Sequence, residues 1–408
     1  MRAIGSVIRK ESRIFTSLVV IMMIANVYVL PFFSVLGIGE VLFILFFPYF
    51  FLRLRNKSVI SASLFLFVVY SAFLTIVMAI SASASISNPI FRMIRDLVYI
   101  LIIFIFGREY IDKALLVQQI KLFCKILSMF ILLQCAVYYV FHIYIPGIPY
   151  NVLTGDGGLT GKEIADTCLS YVRNAGYLKP PGFLCEAAHC AQCLLIGVCI
   201  CLFPSDMEER IDIKWAVIFS GVALLTMSAA AFIYIVVMWL FVLFASKDVA
   251  SKYKILIVVI LIISSMIIIQ SGILEPIYGR LSRISELNVV SDNSTWFRIS
   301  RGFNIWSMEL SPIQKIFGIG FGNIEGVLGI ENEYMNSIAY MLVSAGIVGC
   351  VLYYGMILKM VKLRDDMSRA LIISMIMMAS CSSIYSSAIY VWGMLLLIAT
   401  SRADTCIS

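Results

Sequence analysis

The chain has 408 residues, 61% of them hydrophobic and only 13% charged, with a formal net charge of +7 and a mean hydropathy of +0.98. Soluble globular proteins devote roughly a quarter of their residues to charge, so that class is excluded. Weakly alternating ten-residue strands are absent, which removes an outer-membrane barrel and leaves an all-α, polytopic integral membrane protein.

In chain order, the apolar runs predict spans near 14–30, 39–52, 59–80, 88–107, 126–144, 183–203, 215–227, 231–245, 255–270, 335–357, 370–383 and 386–400. The first follows Arg2, Arg9, Lys10 and Arg13, as a secretory signal would. No small-residue cleavage site comes after it, which implies a retained span. With the N-terminus inside, 21 of the 31 Lys and Arg fall on the cytoplasmic side, the usual positive-inside bias. The stretches 215–245 and 370–400 are 31 residues each. Read as single spans they would turn the basic segments 246–254 and 359–369 outward, so each is expected to hold two helices. About twelve spans result, in a single transmembrane domain over 1–408.

Two connections are long, 145–182 and 271–334, and both fall on the outer, periplasmic side in this reading. Loops longer than about 15 residues are usually functional or disordered, and the aromatics, prolines, glycines and arginines here suggest order. These loops hold eight of the ten outward basic residues. The other two, Arg92 and Arg95, lie at the outer end of span four, because the run after Asp96 is too short to span alone. They also suit helix-end side chains that snorkel. Taken together, Arg173, Lys179, Arg283, Arg298 and Arg301 point to an anionic ligand, and the planar guanidinium fork suits a phosphate. The charge distribution gives no reason to invoke nucleic acid. For any one of these residues, solvated loop charge is the simpler alternative.

Only two histidines occur in the chain, and one lies three residues after a carboxylate, Glu186 and His189 in PPGFLCEAAHCAQCLL. If that stretch is helical, both side chains share a face. Ionisable groups at membrane depth are expensive and normally face a bundle interior or a water-filled cavity, so the pair reads as a site. A hydrogen-bonded pair that merely ties loop to helix is the structural alternative. Cys190 and Cys193 form a CxxC without a second pair, too few ligands for a metal site. Cys168 and Cys185 leave a disulfide undetermined. The turn-rich FGIGFGN (317–323) does not match GxGxxG, and its glycines suit a tight turn where the loop returns to the membrane. No P-loop, zinc signature or GxSxG is present.

The order of these features resembles the bacterial O-antigen and capsular polysaccharide polymerase family (Wzy-type), related to the O-antigen ligases. KPPGFLCEAAHCAQC (179–193) is similar to the segment that this family carries as a basic residue, Phe and Glu-Pro-x-His. TMSAAAFI (226–233) resembles the family's next span. STWFRISRGFNIW…KIFGIGFGN (294–323) resembles the arginine of the large outer loop and its Gly-x-Gly-x-Gly turn. NSIAYMLVSAGIVG (336–349) resembles the closing helix. The likeness covers roughly 179–350. Ala187 stands where the family has proline, Lys179 where it has arginine, and Met335 where some members have histidine. Arg173 thus becomes a possible equivalent of the missing arginine, and His189 is the only histidine near the proposed site.

The resemblance implies a metal- and cofactor-independent glycosyltransferase of the inner membrane. It would move a growing glycan from undecaprenyl-diphosphate to another lipid-linked repeat unit. The expected partners are that lipid-linked oligosaccharide, membrane lipid, and the chain-length regulator and flippase of the same pathway. Glu186 and His189 would be catalytic, with His189 as base and Glu186 orienting it, or Glu186 itself the base. Arg298, Arg173, Lys179, Arg301, Arg283, Arg92 and Arg95 would bind the diphosphate. The alternatives are an O-antigen ligase, with a lipid A-core acceptor, and a lipid-linked oligosaccharide flippase or other transporter. A transporter would be expected to show paired halves and charges near the bilayer midplane.

Overall fold

A computed structural model of the chain describes residues 2–29, 36–54, 62–82, 87–154, 159–203, 211–245, 258, 295–330, 335–361, 363 and 365–402. Among them the protein is all-helical, with isolated β-bridges and no strand. The helices α1 (Arg2–Ala25), α2 (Ile38–Leu52) and α3 (Ala62–Ser81) precede α4 (Ser87–Ile100). The end of α4 widens into a π-helix (Leu101–Phe106) that leads to the short α5 (Gly107–Tyr110). Next come α6 (Lys113–Phe141), α7 (Gly161–Ala175), α8 (Ala187–Leu202), α9 (Ile213–Leu225) and α10 (Ala229–Ala245). After the undescribed stretch come α11 (Thr295–Asn304), α12 (Pro312–Phe317), α13 (Ile324–Leu328), α14 (Ser337–Met360), α15 (Asp366–Cys381) and α16 (Ala388–Arg402).

Eleven of the twelve expected spans overlap a helix, and 255–270, Val258 apart, lies outside the described residues. Among the described residues three helices, α3, α6 and α14, are long and apolar enough to cross a membrane on their own. A further five, α2, α8, α9, α10 and α16, are apolar but shorter than the roughly 20 residues a straight crossing needs. The sequence reading placed the start of α6 too late. Asp112 caps it by accepting from the Leu115 N–H at 3.1 Å, and the helix runs through Lys113, Lys121 and Lys125 before its apolar stretch begins. Hydropathy registers only the apolar part of such a helix.

Both 31-residue stretches are helical hairpins. Trp239 Nε1 of α10 donates to Ser220 Oγ of α9 at 3.1 Å, which folds α10 back antiparallel about the turn at Thr226–Ser228. Ser368 and Thr400 meet at 3.2 Å, folding α15 and α16 together in the same way. At the centre stands α8, which packs on α6, α9, α10, α15 and α16. Every residue from Cys190 to Leu202 is buried, as expected of a helix that is apolar all round.

The break in α14 is the main departure from regularity. Gly346 has φ 65° and ψ −173°, so the carbonyls before it lose their partners in the next turn. Other parts of the chain replace those bonds. Ile319 N–H donates to Val343 O at 3.1 Å, and Gly320 N–H donates to Ser344 O at 2.8 Å. The Tyr70 hydroxyl of α3 lies 2.9 Å from Ala345 O and 2.5 Å from Phe317 O. The glycine-rich turn expected to re-enter the membrane therefore fills a gap in a helix. Phe321 N–H donates to Thr75 Oγ1 at 3.0 Å, and the Asn323 amide donates to Thr75 O and Ile319 O, each at 3.0 Å. The turn is thereby fixed to α3 as well.

Gly318 has φ 83°, and a Cβ there would strike the Ser344 carbonyl. Gly318→Ala should therefore destabilise the protein by about 1–3 kcal/mol. Gly355, also in α14, has open space around its Cα, and Gly355→Ala should stabilise by up to about 1 kcal/mol. Thermal unfolding of both variants in lipid nanodiscs checks this, and equal behaviour would contradict the role given to the turn.

Candidate functional site

The chain upstream of α8 cannot continue as helix, because Pro180, Pro181 and Gly182 interrupt it. Gln134, fully buried in α6, holds this segment. Its amide nitrogen donates to Ile145 O at 2.8 Å and Gly182 O at 3.3 Å, and its carbonyl accepts from Gly182 N–H at 3.0 Å. One side chain thus ties both ends of the 145–182 loop to α6. The two ends cross so closely that a Cβ on Gly147 would overlap the Gly182 carbonyl. Cys190 adds a third tie, with its thiol 2.6 Å from Pro181 O. That contact anchors the loop to α8.

Glu186 is the N-cap of α8, with extended dihedrals φ −132° and ψ 148°. The expectation of two side chains one turn apart on a helix therefore holds only for His189, since Glu186 stands just outside the helix. Its carbonyl accepts from His189 N–H at 3.1 Å and Cys190 N–H at 3.3 Å. Its carboxylate makes no capping hydrogen bond. Both residues are half-buried, where the buried central helix emerges. The helix dipole at this end favours negative charge.

The loop itself is ordered around α7. Thr160 and Glu163 form a capping box, and the Thr160 N–H and hydroxyl hold the Glu163 carboxyl below the usual carboxylate range. Gly176 ends the helix in the left-handed region, φ 75°. Arg173 is exposed in the last turn. Lys179 lies with Nζ 3.8 Å from the centre of the Tyr171 ring, a cation–π contact. Burial pushes the Cys168 thiol up, while the Tyr144 hydroxyl and the charge of Lys179 pull it back. Cys168 and Cys185 are separate thiols.

The other arginines divide into three cases. Arg301 lies half-buried on α11, which packs on α14 and α15, with Gly302 against Ala339 and Met335. Arg298 is on α11 too, but its side chain lies outside the described residues, as does Arg283 entirely. Arg92 and Arg95 lie on α4. Gly322 of the glycine-rich turn packs against Arg92. Arg95 faces inward, with Nε 3.0 Å from Glu40 Oε1, so the snorkelling alternative does not describe it.

Glu40 is the residue that sequence reasoning missed. It is 2% exposed and accepts from Gly37 N–H at 2.8 Å and the Tyr99 hydroxyl at 3.0 Å. Asn26 completes the network, donating to the Tyr99 hydroxyl at 2.6 Å and accepting from Glu40 N–H at 2.9 Å. A carboxylate inside the predicted span 39–52 was the available signal. The network locks α1, α2 and α4 together at the end that carries the long loops. The same end is tied across the bundle, where Gln192 of α8 donates to Ser382 Oγ at 3.2 Å and Ser337 N–H donates to Ser382 O at 3.1 Å.

A small, partly open and mainly apolar cavity lies between α3, α4 and α14. Asp96, Phe321, Tyr340, Tyr353, Tyr385 and Tyr390 are among the side chains that line it. No group of residues suited to holding a metal occurs among the described residues. The chain matches no protein-family model and no curated protein.

Gln134→Leu keeps the bulk of the side chain and strands up to three backbone groups. Each stranded group costs about 1–3 kcal/mol. Hydrogen exchange at Gly182 N–H should accelerate by at least about tenfold, since 1.4 kcal/mol is a factor of ten. Unchanged protection of 180–183 in exchange mass spectrometry would mean that Gln134 does not hold the loop.

Proposed function

We propose that the protein is a polysaccharide polymerase of the bacterial inner membrane, with about twelve spans and with 145–182 and 271–334 in the periplasm. It would transfer a growing glycan from undecaprenyl-diphosphate to another lipid-linked repeat unit. The observation that carries this reading is the mouth of α8. There, a carboxylate and an imidazole stand at the end of the most buried helix, beneath a clamped loop that bears cations. A base within reach of an acceptor hydroxyl is what glycosyl transfer asks of Glu186 or His189. Departure of a lipid diphosphate builds negative charge, which Arg298, Arg301, Arg173, Lys179, Arg283 and Arg92 would stabilise. Arg95, already facing Glu40, would serve by holding α4 in place.

A flippase or other transporter is the rival from another class, and the break in α14 is the feature that favours it, because transporters place ions and substrates at broken helices. Here, however, the freed carbonyls Val343 O, Ser344 O and Ala345 O are taken by the chain's own N–H groups and the Tyr70 hydroxyl. That weighs against a transport site at the break. A ligase remains the alternative within the class.

Topology is testable by reporter fusions. Alkaline phosphatase joined after Asp166 or Asp292 should be active and after Lys362 inactive. The opposite pattern at Asp292 and Lys362 would sink the twelve-span arrangement.

Chemistry is tested in cells that supply the lipid-linked repeat unit. Glu186→Ala and His189→Ala should each lower polymerisation by about 10²–10⁴-fold, the usual worth of a positioned general base. Single repeat units should then remain on the surface lipid at normal protein level. Glu186→Gln distinguishes the roles, with a mild loss if the carboxylate orients His189 and a complete loss if it is the base. Arg298→Ala should stop elongation and Arg298→Lys should restore it poorly, because the bidentate fork is lost. Normal-length polymer from both Glu186→Ala and His189→Ala would move the chemistry elsewhere.

A further inference from the structure

We propose that the segment from Met308 to Phe317 dips into the bilayer, with its exposed apolar side chains against the acyl chains of the leaflet that the start of α14 faces. This stretch is then the exception within the 271–334 connection, whose other residues stay outside the membrane. The inference stands on helix geometry and exposure, and it holds whether or not the protein transfers glycans.

Met308 is 81% exposed and Ile313 71%, and Ile316 and Phe317 are exposed as well. Ile313, Ile316 and Phe317 follow the i, i+3, i+4 spacing on α12 and form one apolar stripe. Single exposed apolar side chains are ordinary, but a continuous patch marks a contact surface.

The depth of this patch follows from the bonds that hold it. Phe317 O accepts from the Tyr70 hydroxyl at 2.5 Å, and a Cβ on Gly346 would strike Ile316 O. Gly346 lies nine residues after Ser337, where α14 begins, or about 14 Å along the helix. Tyr70 lies eleven residues before Ser81, where α3 ends, or about 17 Å. Both helices are long and apolar enough to span, and a hydrocarbon core is about 30 Å thick. The end of α12 is therefore carried well below the membrane surface. At this level α3 exposes Val69 and Phe73, and α14 exposes Ile347 and Val351. The stripe on α12 thus continues the lipid-facing surface of two spans.

Polarity changes along the segment in the direction a bilayer imposes. Ser307, Glu309 and Ser311 are exposed at its shallow start, and Ile316 and Phe317 at its deep end. Lys315 Nζ donates to Ser307 O at 2.7 Å. Its stem therefore runs back towards the shallow end, as in a cation that snorkels. Trp306 Nε1 donates to Lys315 O at 3.3 Å, and an indole beside the polar start suits the headgroup boundary. Gln314 O accepts from Gly318 N–H at 2.6 Å. With Phe317 O bonded to Tyr70, two carbonyls at the end of α12 have the internal partners that hydrocarbon demands.

Photo-crosslinking tests this on the full-length protein in vesicles of phosphatidylethanolamine and phosphatidylglycerol. p-Benzoylphenylalanine replaces Met308, Ile313, Val351 or Glu325, one position at a time, and intact-mass spectrometry follows irradiation. Met308 and Ile313 should each gain the mass of one phospholipid, as Val351 of α14 does. Glu325, exposed on α13, should show no such gain. Lipid adducts at Val351 but at neither Met308 nor Ile313 would overturn the proposal. A covalent dimer at Ile313 in place of a lipid adduct would also overturn it, because a second copy of the chain would then cover the stripe. Adducts as abundant at Glu325 as at Ile313 would do the same, since the probe would then be reaching lipid from outside the bilayer.

Discussion

A backbone N–H or carbonyl in hydrocarbon must find its partner within the protein, since no water is there to supply one. This constraint explains the most irregular part of the structure. Once Gly346 turns α14 out of its helix, Val343, Ser344 and Ala345 need donors. The chain brings them from 24 residues upstream, in Ile319 for Val343 and Gly320 for Ser344, and from Tyr70 of α3. A long connecting segment is thereby fixed to two helices of the bundle. The position of α11, and of the arginines on it, follows from where this turn is anchored.

The opposite flank of the same end is organised by side chains. Glu40 gathers Tyr99, Arg95 and the Gly37 N–H around one carboxylate. A buried ion pair of this kind adds little net stability over an apolar packing, but breaking it leaves an uncompensated charge. Its effect is to fix how α1, α2 and α4 meet. Gln134 does comparable work with a neutral amide, fixing how the loop meets α6 and α8. The mouth of α8 is therefore bordered by elements whose positions are set by directed bonds rather than by apolar packing alone. Directed bonds of this kind hold the surroundings of Glu186 and His189 in one geometry, as a reacting site would require.

Much of the helical framework was legible in the sequence, because long apolar runs register directly in hydropathy. The two hairpins could be read from the basic segments that follow them. The glycine turn was legible as a turn, but not its partner. SAGIVG reads as ordinary helix, and nothing in its composition marks Gly346 as the break. Glu40 escaped because a single carboxylate barely changes the mean of an apolar run, although one charge in such a run is the stronger signal. Glu186 was placed one position too deep, inside the helix rather than at its cap. The spacing of Glu186 and His189 says nothing about where the first turn begins, and Glu is not among the favoured capping residues. The tyrosine-lined cavity had no linear trace, since its walls come from residues as far apart as Ser71 and Tyr390.

The clamp at Gln134 makes the 145–182 segment a lasso, closed at its base independently of its contour. Closing a flexible loop becomes only about 0.6 kcal/mol harder for each doubling of its length. Exposed residues of α7, such as Arg173, can therefore change chemistry at small thermodynamic expense, whereas 148–154 are held by bonds such as Val29 N–H to Leu153 O at 3.2 Å. The knot itself, where Gly147 lies against the Gly182 carbonyl, admits no side chain at all. In related chains, diversification should concentrate in the rim of the lasso, while the knot and the first turn of α8 stay fixed. A protein of this design could change what its loop presents without moving Glu186 and His189.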